Sequence, residues 1–153
     1  MAIVIFSLGS NLGNGQINLL QANELIAQLI GKITQASPLY ETKPWGFTSE
    51  HLFTNQIILV ETTLDPEVIL ARTQEIERIL GRTEKSKNQS YTDRIIDIDI
   101  IDYNGQIITT ENLQLPHHAM HRRQFVLEPL CAVYPNWIHP ILHRTAQELL
   151  SAL

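Results

Sequence analysis

Short apolar runs alternate with helically spaced apolar positions in the N-terminal part of the chain. Residues 2–8 are mostly β-branched or aromatic and a glycine-rich segment follows them, which predicts a buried strand that ends in a flexible turn at Gly9. Residues 17–30 place apolar side chains every three or four positions, which is the spacing of one helical face, and Gly31 offers a stop. A second strand is predicted for residues 32–40.

The middle of the chain adds another strand, another helix and two loops. Residues 53–63 predict a strand. Asp65-Pro66-Glu67 combine an acidic N-cap, a proline at the first helical position and further acid near the positive end of the helix dipole, which predicts a helix that ends at Gly81. Residues 43–52 and 82–93 are polar and lack a period, and a loop as long as the second is often functional.

A hairpin and two short helices complete the predicted order. Residues 95–103 and 106–110 flank Asn104-Gly105, a pair that suits the positive backbone angles of a two-residue turn, so a β-hairpin is expected. Helices are predicted for residues 125–133 and 145–150. The order of strands and helices, with a hairpin that excludes an all-parallel sheet, predicts an α+β fold: a ferredoxin-like α/β sandwich with a mainly antiparallel sheet flanked by helices.

Composition and charge narrow the class of protein. The 153 residues contain no repeat, low-complexity stretch or linker, which predicts one domain over residues 1–153. A hydrophobic content of 44% and a net charge of −5 indicate a globular domain with no nucleic-acid partner. No apolar stretch approaches the ~20 residues of a membrane span, and Cys131 is the single cysteine, so we expect a cytoplasmic protein without a membrane partner. We also expect a monomer.

The segment from Arg94 to Ile100 contains the most informative pattern. On a strand, side chains alternate between faces, so Asp97 and Asp99 point the same way, roughly 7 Å apart. Carboxylates held that close repel each other unless a cation joins them, and Mg²⁺ is the natural candidate because it binds carboxylates together with substrate phosphates. The alternative is that both aspartates simply lie on a solvated sheet face.

Basic residues flank this acidic pair. Five of the 11 Lys and Arg residues fall between Arg78 and Arg94, and Arg122 and Arg123 follow later. Guanidinium and ammonium groups suit phosphate oxygens, so a compact anionic ligand such as a triphosphate is indicated. A solvated basic loop would explain the cluster if it stood alone, but beside the Asp-x-Asp strand the phosphate interpretation is favoured.

Two other motifs carry less weight. His117, His118 and His121 have spacings that a zinc site can use, but no glutamate is placed as in the helical zinc-protease signature, and a histidine near a polyphosphate is the simpler role. Gly9-Ser10-Asn11-Leu12-Gly13 lacks the Gly-Lys-Ser/Thr ending of a phosphate-binding loop.

Over nearly the whole chain, the assembled motifs resemble the 6-hydroxymethyl-7,8-dihydropterin pyrophosphokinase family. The matching segments are Gly9-Ser10-Asn11-Leu12-Gly13, Tyr40-Glu41-Thr42-Lys43-Pro44-Trp45-Gly46, Phe53-Thr54-Asn55, Gln74-Glu75-Ile76-Glu77, Gly81-Arg82, Arg94 to Asp99, Leu115-Pro116-His117 and Arg123 to Leu130. The resemblance implies transfer of the terminal diphosphate of ATP to the pterin hydroxymethyl group, with release of AMP.

The resemblance also implies roles for individual residues. Asp97 and Asp99 match the aspartates that bind two Mg²⁺ ions, and Arg82 and Arg94 match the catalytic-loop arginines. The positions that match residues around ATP are Gln74, Glu77, Lys85, Ile100, His117 and Arg123. The positions that match the pterin pocket are Thr42, Lys43, Trp45, Phe53, Asn55 and Phe125. A flat heterocycle suits aromatic faces and an amide, so Asn55 is the expected reader, with Phe125 and Trp45 as stacking partners.

Some positions depart from the family pattern. Asp93 stands where a proline commonly precedes the arginine, Phe53 replaces a tyrosine, and His118 stands where a tyrosine is frequent. Two alternatives remain at this stage. One is a noncatalytic ferredoxin-like module that binds an anion or a protein. The other is a different metal-dependent phosphoryl or nucleotidyl transferase that uses the same aspartate pair.

Overall fold

An antiparallel sheet forms the centre of the protein in the computed structural model, which describes residues 1–43, 52–81 and 95–153. The strands of this sheet are β1 (Ala2–Ser10), β2 (Lys32–Ala36), β3 (Tyr40–Thr42), β4 (Phe53–Thr62) and β5 (Asp97–Tyr103). The helices are α1 (Gly15–Leu29), α2 (Pro66–Ile79), α3 (Gln124–Val133) and α4 (Ala146–Ser151). Two short strands, β6 (Ile108–Thr109) and β7 (Gln114–Leu115), form a separate ribbon, and a 3-10 helix spans Met120–Arg122.

The strand order confirms the predicted fold class. The sheet runs β2-β4-β1-β5, with β3 beside β4, and every pair is antiparallel. Two strand-helix-strand units in sequence give this order, so the chain forms the α+β sandwich of ferredoxin-like type. None of the described helices is both long and apolar enough to cross a membrane.

Helices cover both faces of the sheet because the strands of the sheet centre are apolar on both sides. In β1, Phe6 belongs to a core with residues of α1 and α2, whereas Ile5 belongs to a second core with residues of α3 and α4. Successive side chains of a strand point to opposite faces, so one strand supplies both cores. The buried members from the helices include Ile26 and Ile76 on one side, and Leu127 on the other.

Local signals account for the helix ends. The Asn14 side chain accepts the Ile17 N–H at 3.1 Å, which caps α1. A side chain at Gly31 would collide with the carbonyl oxygen of Glu61, so this position needs glycine. Asp65 occupies the N-cap position of α2, as predicted, although its side chain makes no capping hydrogen bond.

Two predicted strand boundaries were wrong. Gly9 and Ser10 continue β1 instead of turning, because they pair with Asn55 and Thr54 of β4. The predicted strand over residues 32–40 is divided into β2 and β3. The break lies at Ser37, whose hydroxyl accepts the Ile57 N–H at 3.0 Å.

The predicted hairpin at Asn104-Gly105 was also wrong, although the turn itself forms. Asn104 and Gly105 have φ values of 53° and 70°, and Gln106 N–H donates to Tyr103 O at 2.9 Å. The chain then leaves β5, and β6 pairs with β7. The outer edge of β5 is contacted instead by a distant segment, since His117 N–H donates to Ile101 O at 2.9 Å.

The predicted loops at residues 43–52 and 82–93 fall mostly outside the described residues. The two predicted C-terminal helices match α3 and α4 to within one residue at each end. For α4, Thr145 and Glu148 form a reciprocal capping box, which explains how a helix of six residues is held.

Candidate active site

The floor of the site is the C-terminal end of β1, where the strand has neighbours on both sides. Gly9 lies opposite Asn55 of β4 and opposite Asp97 of β5, while Ser7 lies opposite Asp99. All five residues face the side of the sheet that carries α3, and they line one cavity. The register of three strands therefore brings polar groups from distant parts of the sequence together.

Asp97 and Asp99 both reach this cavity, as their spacing on a strand predicted. The Asp99 side chain is 26% exposed, and its Oδ2 lies 4.0 Å from Nη1 of Arg123, whose side chain is only 3% exposed. The cavity therefore combines two carboxylates with a buried guanidinium. Its lining consists of Ser7, Gly9, Thr42, Lys43, Phe53, Asn55, Asp97, Asp99, Arg123 and Phe125.

A third carboxylate holds the strand that carries the aspartate pair. Glu77 on α2 is 2% exposed, and its Oε2 accepts the Ile98 N–H at 2.8 Å. That N–H belongs to the residue between Asp97 and Asp99. A buried backbone N–H left without an acceptor is costly, so this hydrogen bond holds the β5 backbone in place between the two aspartates.

The opposite wall is built around the Asn55 amide. Asn55 is 3% exposed, and its Nδ2 donates to Thr42 Oγ1 at 2.6 Å, with the amide oriented by this contact. Its Oδ1 would lie 3.3 Å from a Cβ added at Gly9, and the Phe53 ring would lie 3.5 Å away. Gly9 therefore gives Asn55 and Phe53 the space they occupy.

The start of α3 forms the upper side of the cavity. Arg123 is the N-cap residue of this helix, and its guanidinium carbon lies 5.5 Å from the centroid of the Phe125 ring. This distance suits a cation–π contact. Arg123 is thus held between an aromatic ring and the Asp99 carboxylate.

His117 has one ring nitrogen already engaged. Its Nδ1 accepts the Ala119 N–H at 3.1 Å, so the neutral ring carries its proton on Nε2. The His118 ring stacks on it with centroids 4.7 Å apart. Partial burial lowers the pKa of His118, and the positive charges of Arg123 and Arg122 lower it further. His117 does not belong to the cavity lining.

The remaining predicted residues fall into two groups. Trp45, Arg82, Lys85 and Arg94 lie outside the described residues. Gln74 is exposed on α2, whereas Ile100 is 6% exposed in the core on the other face of the sheet. Any contact of Ile100 with a ligand in the cavity would therefore come from its backbone.

Sequence patterns did not reveal Ser7 and Gly9 as lining residues, and Glu77 was expected near ATP but not as the acceptor of the Ile98 N–H. Ser7 was hidden in an apolar run, and Gly9 was assigned to a turn. A sequence signal for both exists. One face of β1 carries Ile3, Ile5, Ser7 and Gly9, and the side chains on this face decrease in size towards the site. The contact between Glu77 and Ile98 has no local signal, since it joins residues 21 positions apart.

The donor set suits a hard cation. Within the described parts of the chain, no three His, Cys, Asp or Glu side chains converge on one point. A cation at Asp97 and Asp99 would therefore take further ligands from water or from a bound phosphate, which is how Mg²⁺ is commonly held.

Comparison with known proteins assigns the chain to a family. Residues 5–135 match the family model described as 7,8-dihydro-6-hydroxymethylpterin-pyrophosphokinase (HPPK). A 2-amino-4-hydroxy-6-hydroxymethyldihydropteridine pyrophosphokinase of Porphyromonas gingivalis is 46% identical over 141 residues, which cover 92% of this chain and 95% of that protein. The protein of the same name from Aquifex aeolicus is 36% identical over 97% of this chain and 90% of its own length.

A solved structure supports the fold independently. The crystal structure of Plasmodium falciparum HPPK-DHPS aligns with a TM-score of 0.80 at 18% identity. The alignment covers 99% of this chain and 44% of that longer chain. At this level of identity the likeness concerns the fold alone.

We predict that Glu77→Ala loosens the strand at the site. The Ile98 N–H loses its acceptor, so its hydrogen exchange should accelerate and the free energy of unfolding should fall by about 1–3 kcal/mol. Exchange is followed at the Ile98 amide by NMR, and stability by urea titration. Glu77→Gln keeps an acceptor oxygen and serves as the control. Unchanged exchange at Ile98 in Glu77→Ala would contradict the holding role.

Proposed function

The chain belongs to the 7,8-dihydro-6-hydroxymethylpterin-pyrophosphokinase family, and we propose that the cavity above Ser7 and Gly9 is where its reaction takes place. The enzyme transfers the pyrophosphoryl group of ATP to the hydroxymethyl group of 6-hydroxymethyl-7,8-dihydropterin in folate biosynthesis. The observation that carries this assignment is the presence of two carboxylates, a buried guanidinium and a buried amide in one cavity.

The transfer is a substitution at the β-phosphorus of ATP. The pterin hydroxyl oxygen forms a bond to that phosphorus, and the bond from it to the oxygen bridging the α-phosphorus breaks. AMP leaves with the electron pair of that bond, and the alcohol proton passes to solvent. Such a reaction needs positioning and charge neutralisation more than covalent participation by the protein.

Asp97 and Asp99 are the residues that would hold Mg²⁺, with two ions expected. Their position on one face of β5, directed into a cavity that also contains Arg123, supports this role. Bound there, the metal supplies charge neutralisation to the triphosphate. Glu77 holds the β5 backbone between the two aspartates by accepting the Ile98 N–H, and it thereby helps to position both carboxylates.

Cationic groups account for the remaining phosphate charge in this proposal. The buried Arg123 guanidinium can donate several N–H bonds to phosphate oxygens. His117 can donate from Nε2, because its Nδ1 already accepts the Ala119 N–H. Arg82, Arg94 and Lys85 are assigned to the same task, and Gln74, Glu77 and Ile100 to the surroundings of ATP, on the family match alone.

The pterin is proposed to bind between Phe53 and Phe125, with Asn55 reading its polar edge. Because Asn55 Nδ2 donates to Thr42, its Oδ1 can accept an N–H of the heterocycle. The Phe125 ring is fixed by its contact with Arg123. Lys43 lines the same cavity, and Trp45 is assigned as a second stacking residue on the family match.

The setting of the enzyme remains a prediction. A net charge of −5 argues against a nucleic-acid partner, and we expect a cytoplasmic monomer that binds ATP and the pterin without a membrane partner. Family membership disfavours the noncatalytic alternative. The paired carboxylates also disfavour it, because a module that only binds an anion does not need two negative charges at its site.

The nucleotide that is formed from ATP identifies the reaction. We predict that AMP, and not ADP, is formed when the enzyme, Mg²⁺, ATP and hydroxymethyldihydropterin are combined. Asp97→Asn should lower kcat/KM by at least about 10²-fold, because a neutral amide holds the metal poorly. Nucleotides are separated by anion-exchange chromatography, and rates are measured at several Mg²⁺ concentrations.

Asp65→Asn is the matched control for this experiment. It makes the same chemical change at an exposed residue outside the cavity lining whose side chain makes no capping hydrogen bond, so AMP formation should continue at close to the normal rate. ADP as the product would refute the proposed reaction. Near-normal activity of Asp97→Asn would refute the metal-holding role.

We also predict that Gly9→Ala selectively weakens pterin binding. The added methyl group would lie 3.3 Å from Asn55 Oδ1, so the Asn55 amide must shift by a few tenths of an ångström, and it would lie in ordinary contact with the Phe53 ring at 3.5 Å. The KM for pterin should rise by about tenfold, as expected for an overpacking cost of 1–3 kcal/mol. The KM for ATP should change little. Equal increases in both KM values would indicate general damage and contradict the assignment of Asn55.

A further inference from the structure

A second cavity lies on the same sheet face as the candidate active site, towards the opposite end of the strands. Its volume is about 490 Å³, against about 40 Å³ for the candidate active site. On β1 it is lined by Ile3 and Ile5, whereas the candidate active site uses Ser7 and Gly9. The two cavities share no lining residue among the described residues, and the larger one falls within the usual size range of small-molecule sites.

A β-bulge directs Asp102 into this second cavity. Phe6 pairs with Ile100 and Ile5 pairs with Asp102, so Ile101 is an extra residue in β5. Strict alternation would place Asp102 on the face opposite Asp97 and Asp99. Because the bulge shifts the phase, Asp102 instead joins Ile5 in the cavity lining. Bulges commonly re-aim a side chain at functional positions.

The Asp102 carboxylate is buried and only partly satisfied. The residue is 3% exposed, and its Oδ2 accepts the Gly105 N–H at 2.9 Å. Its buried Oδ1 has no hydrogen-bond partner of good geometry in the described part of the chain. Burial raises the pKa of this carboxyl, and the hydrogen bond from the Gly105 N–H and a weak hydrogen bond from the Trp137 side chain lower it. An incompletely satisfied buried carboxylate oxygen is costly, and a bound donor of better geometry would reduce that cost.

The rest of the lining selects the kind of ligand. It contains no Lys, Arg or His, so its only charge is that of Asp102, and an anionic ligand would be repelled. The Trp137 ring belongs to the lining although it is 5% exposed overall, and it is fixed by its edge contact with the His139 ring, whose centroid lies 5.7 Å away.

We propose that this cavity binds a small planar cation of the amidinium or guanidinium type, whose N–H groups donate to the Asp102 carboxylate while its flat face lies against Trp137. A planar cation combines the two features that the site offers, charge complementarity and aromatic stacking. The last torsion of an aspartate is soft, so a small rotation presents Oδ1 to the ligand. The side-chain oxygens of Thr34, Asn104 and Asn136 can accept the remaining N–H groups.

A structural role in the turn accounts for only one of the two carboxylate oxygens. The Gly105 N–H uses Oδ2, and an asparagine could accept that hydrogen bond equally well. Neither the negative charge nor the placement beside Trp137 is required by the turn. Replacing the charge while keeping the shape therefore separates the two roles.

Benzamidine and benzamide form a matched pair of probes, since they share shape but differ in charge. Calorimetric titration of the intact protein should show one benzamidine site, with benzamide bound at least about tenfold more weakly, the effect of 1.4 kcal/mol. Asp102→Asn should lower the affinity for benzamidine by a similar factor and leave the affinity for benzamide unchanged. Benzamidine affinity should also fall as the pH is lowered, because protonation of Asp102 removes the charge.

A second variant guards against a folding defect. Asn136 is exposed at the cavity, so Asn136→Lys places an ammonium there without altering Asp102, and it should abolish benzamidine binding. Absence of saturable binding, equal affinity for the two probes, or indifference to both substitutions would overturn the proposal. Displacement of benzamidine by a non-hydrolysable ATP analogue would assign it to the other cavity and also overturn the proposal. No step uses the transfer reaction, so the outcome is independent of the proposed function.

Discussion

The antiparallel pairing of β1 with a neighbour on each side is the constraint on which the site depends. Gly9 sits between Asn55 of β4 and Asp97 of β5, so the backbone ladder brings the amide and the carboxylate to opposite sides of one residue. A slip of one residue in either pairing would turn every side chain of the slipped strand to the other face. The apolar residues Val4, Phe6 and Leu8 oppose such a slip, because it would move them out of the core with α1 and α2.

The electrostatics of the site follow from this ladder. Two carboxylates on one face of β5 are tolerated when cations compensate them, and the buried Arg123 guanidinium near Asp99 supplies part of that compensation. Glu77 places a further carboxyl group behind the same strand, and its Oε2 accepts the Ile98 N–H. The negative charge at the cavity therefore comes from Asp97 and Asp99 on β5, while the position of β5 is held by Glu77 on α2. The functional assignment depends on both.

Prediction from the sequence succeeded where the signal was local and failed where it was not. The shared face of Asp97 and Asp99 follows from strand periodicity, and the positions of α1 and α2 follow from apolar spacing and from end signals such as Pro66 and Gly31. The hairpin prediction failed because the edge of β5 is contacted by His117, which the turn sequence cannot reveal. Gly9 was mistaken for a turn because its reason for being glycine is the nearby Asn55 side chain, a tertiary contact.

The bulge at Ile101 shows how one strand serves two cavities on the same face. Before the bulge, alternation sends Asp97 and Asp99 towards α3 and leaves Ile98 and Ile100 in the core with α1 and α2. Without the extra residue, Asp102 would follow Ile100 into that apolar core, where an ionised carboxylate is expensive to bury. The phase shift resolves this conflict by moving Asp102 to the α3 and α4 face, beside Ile5 and Trp137. An acidic residue at this position is thus compatible with the fold only because the ladder is irregular there.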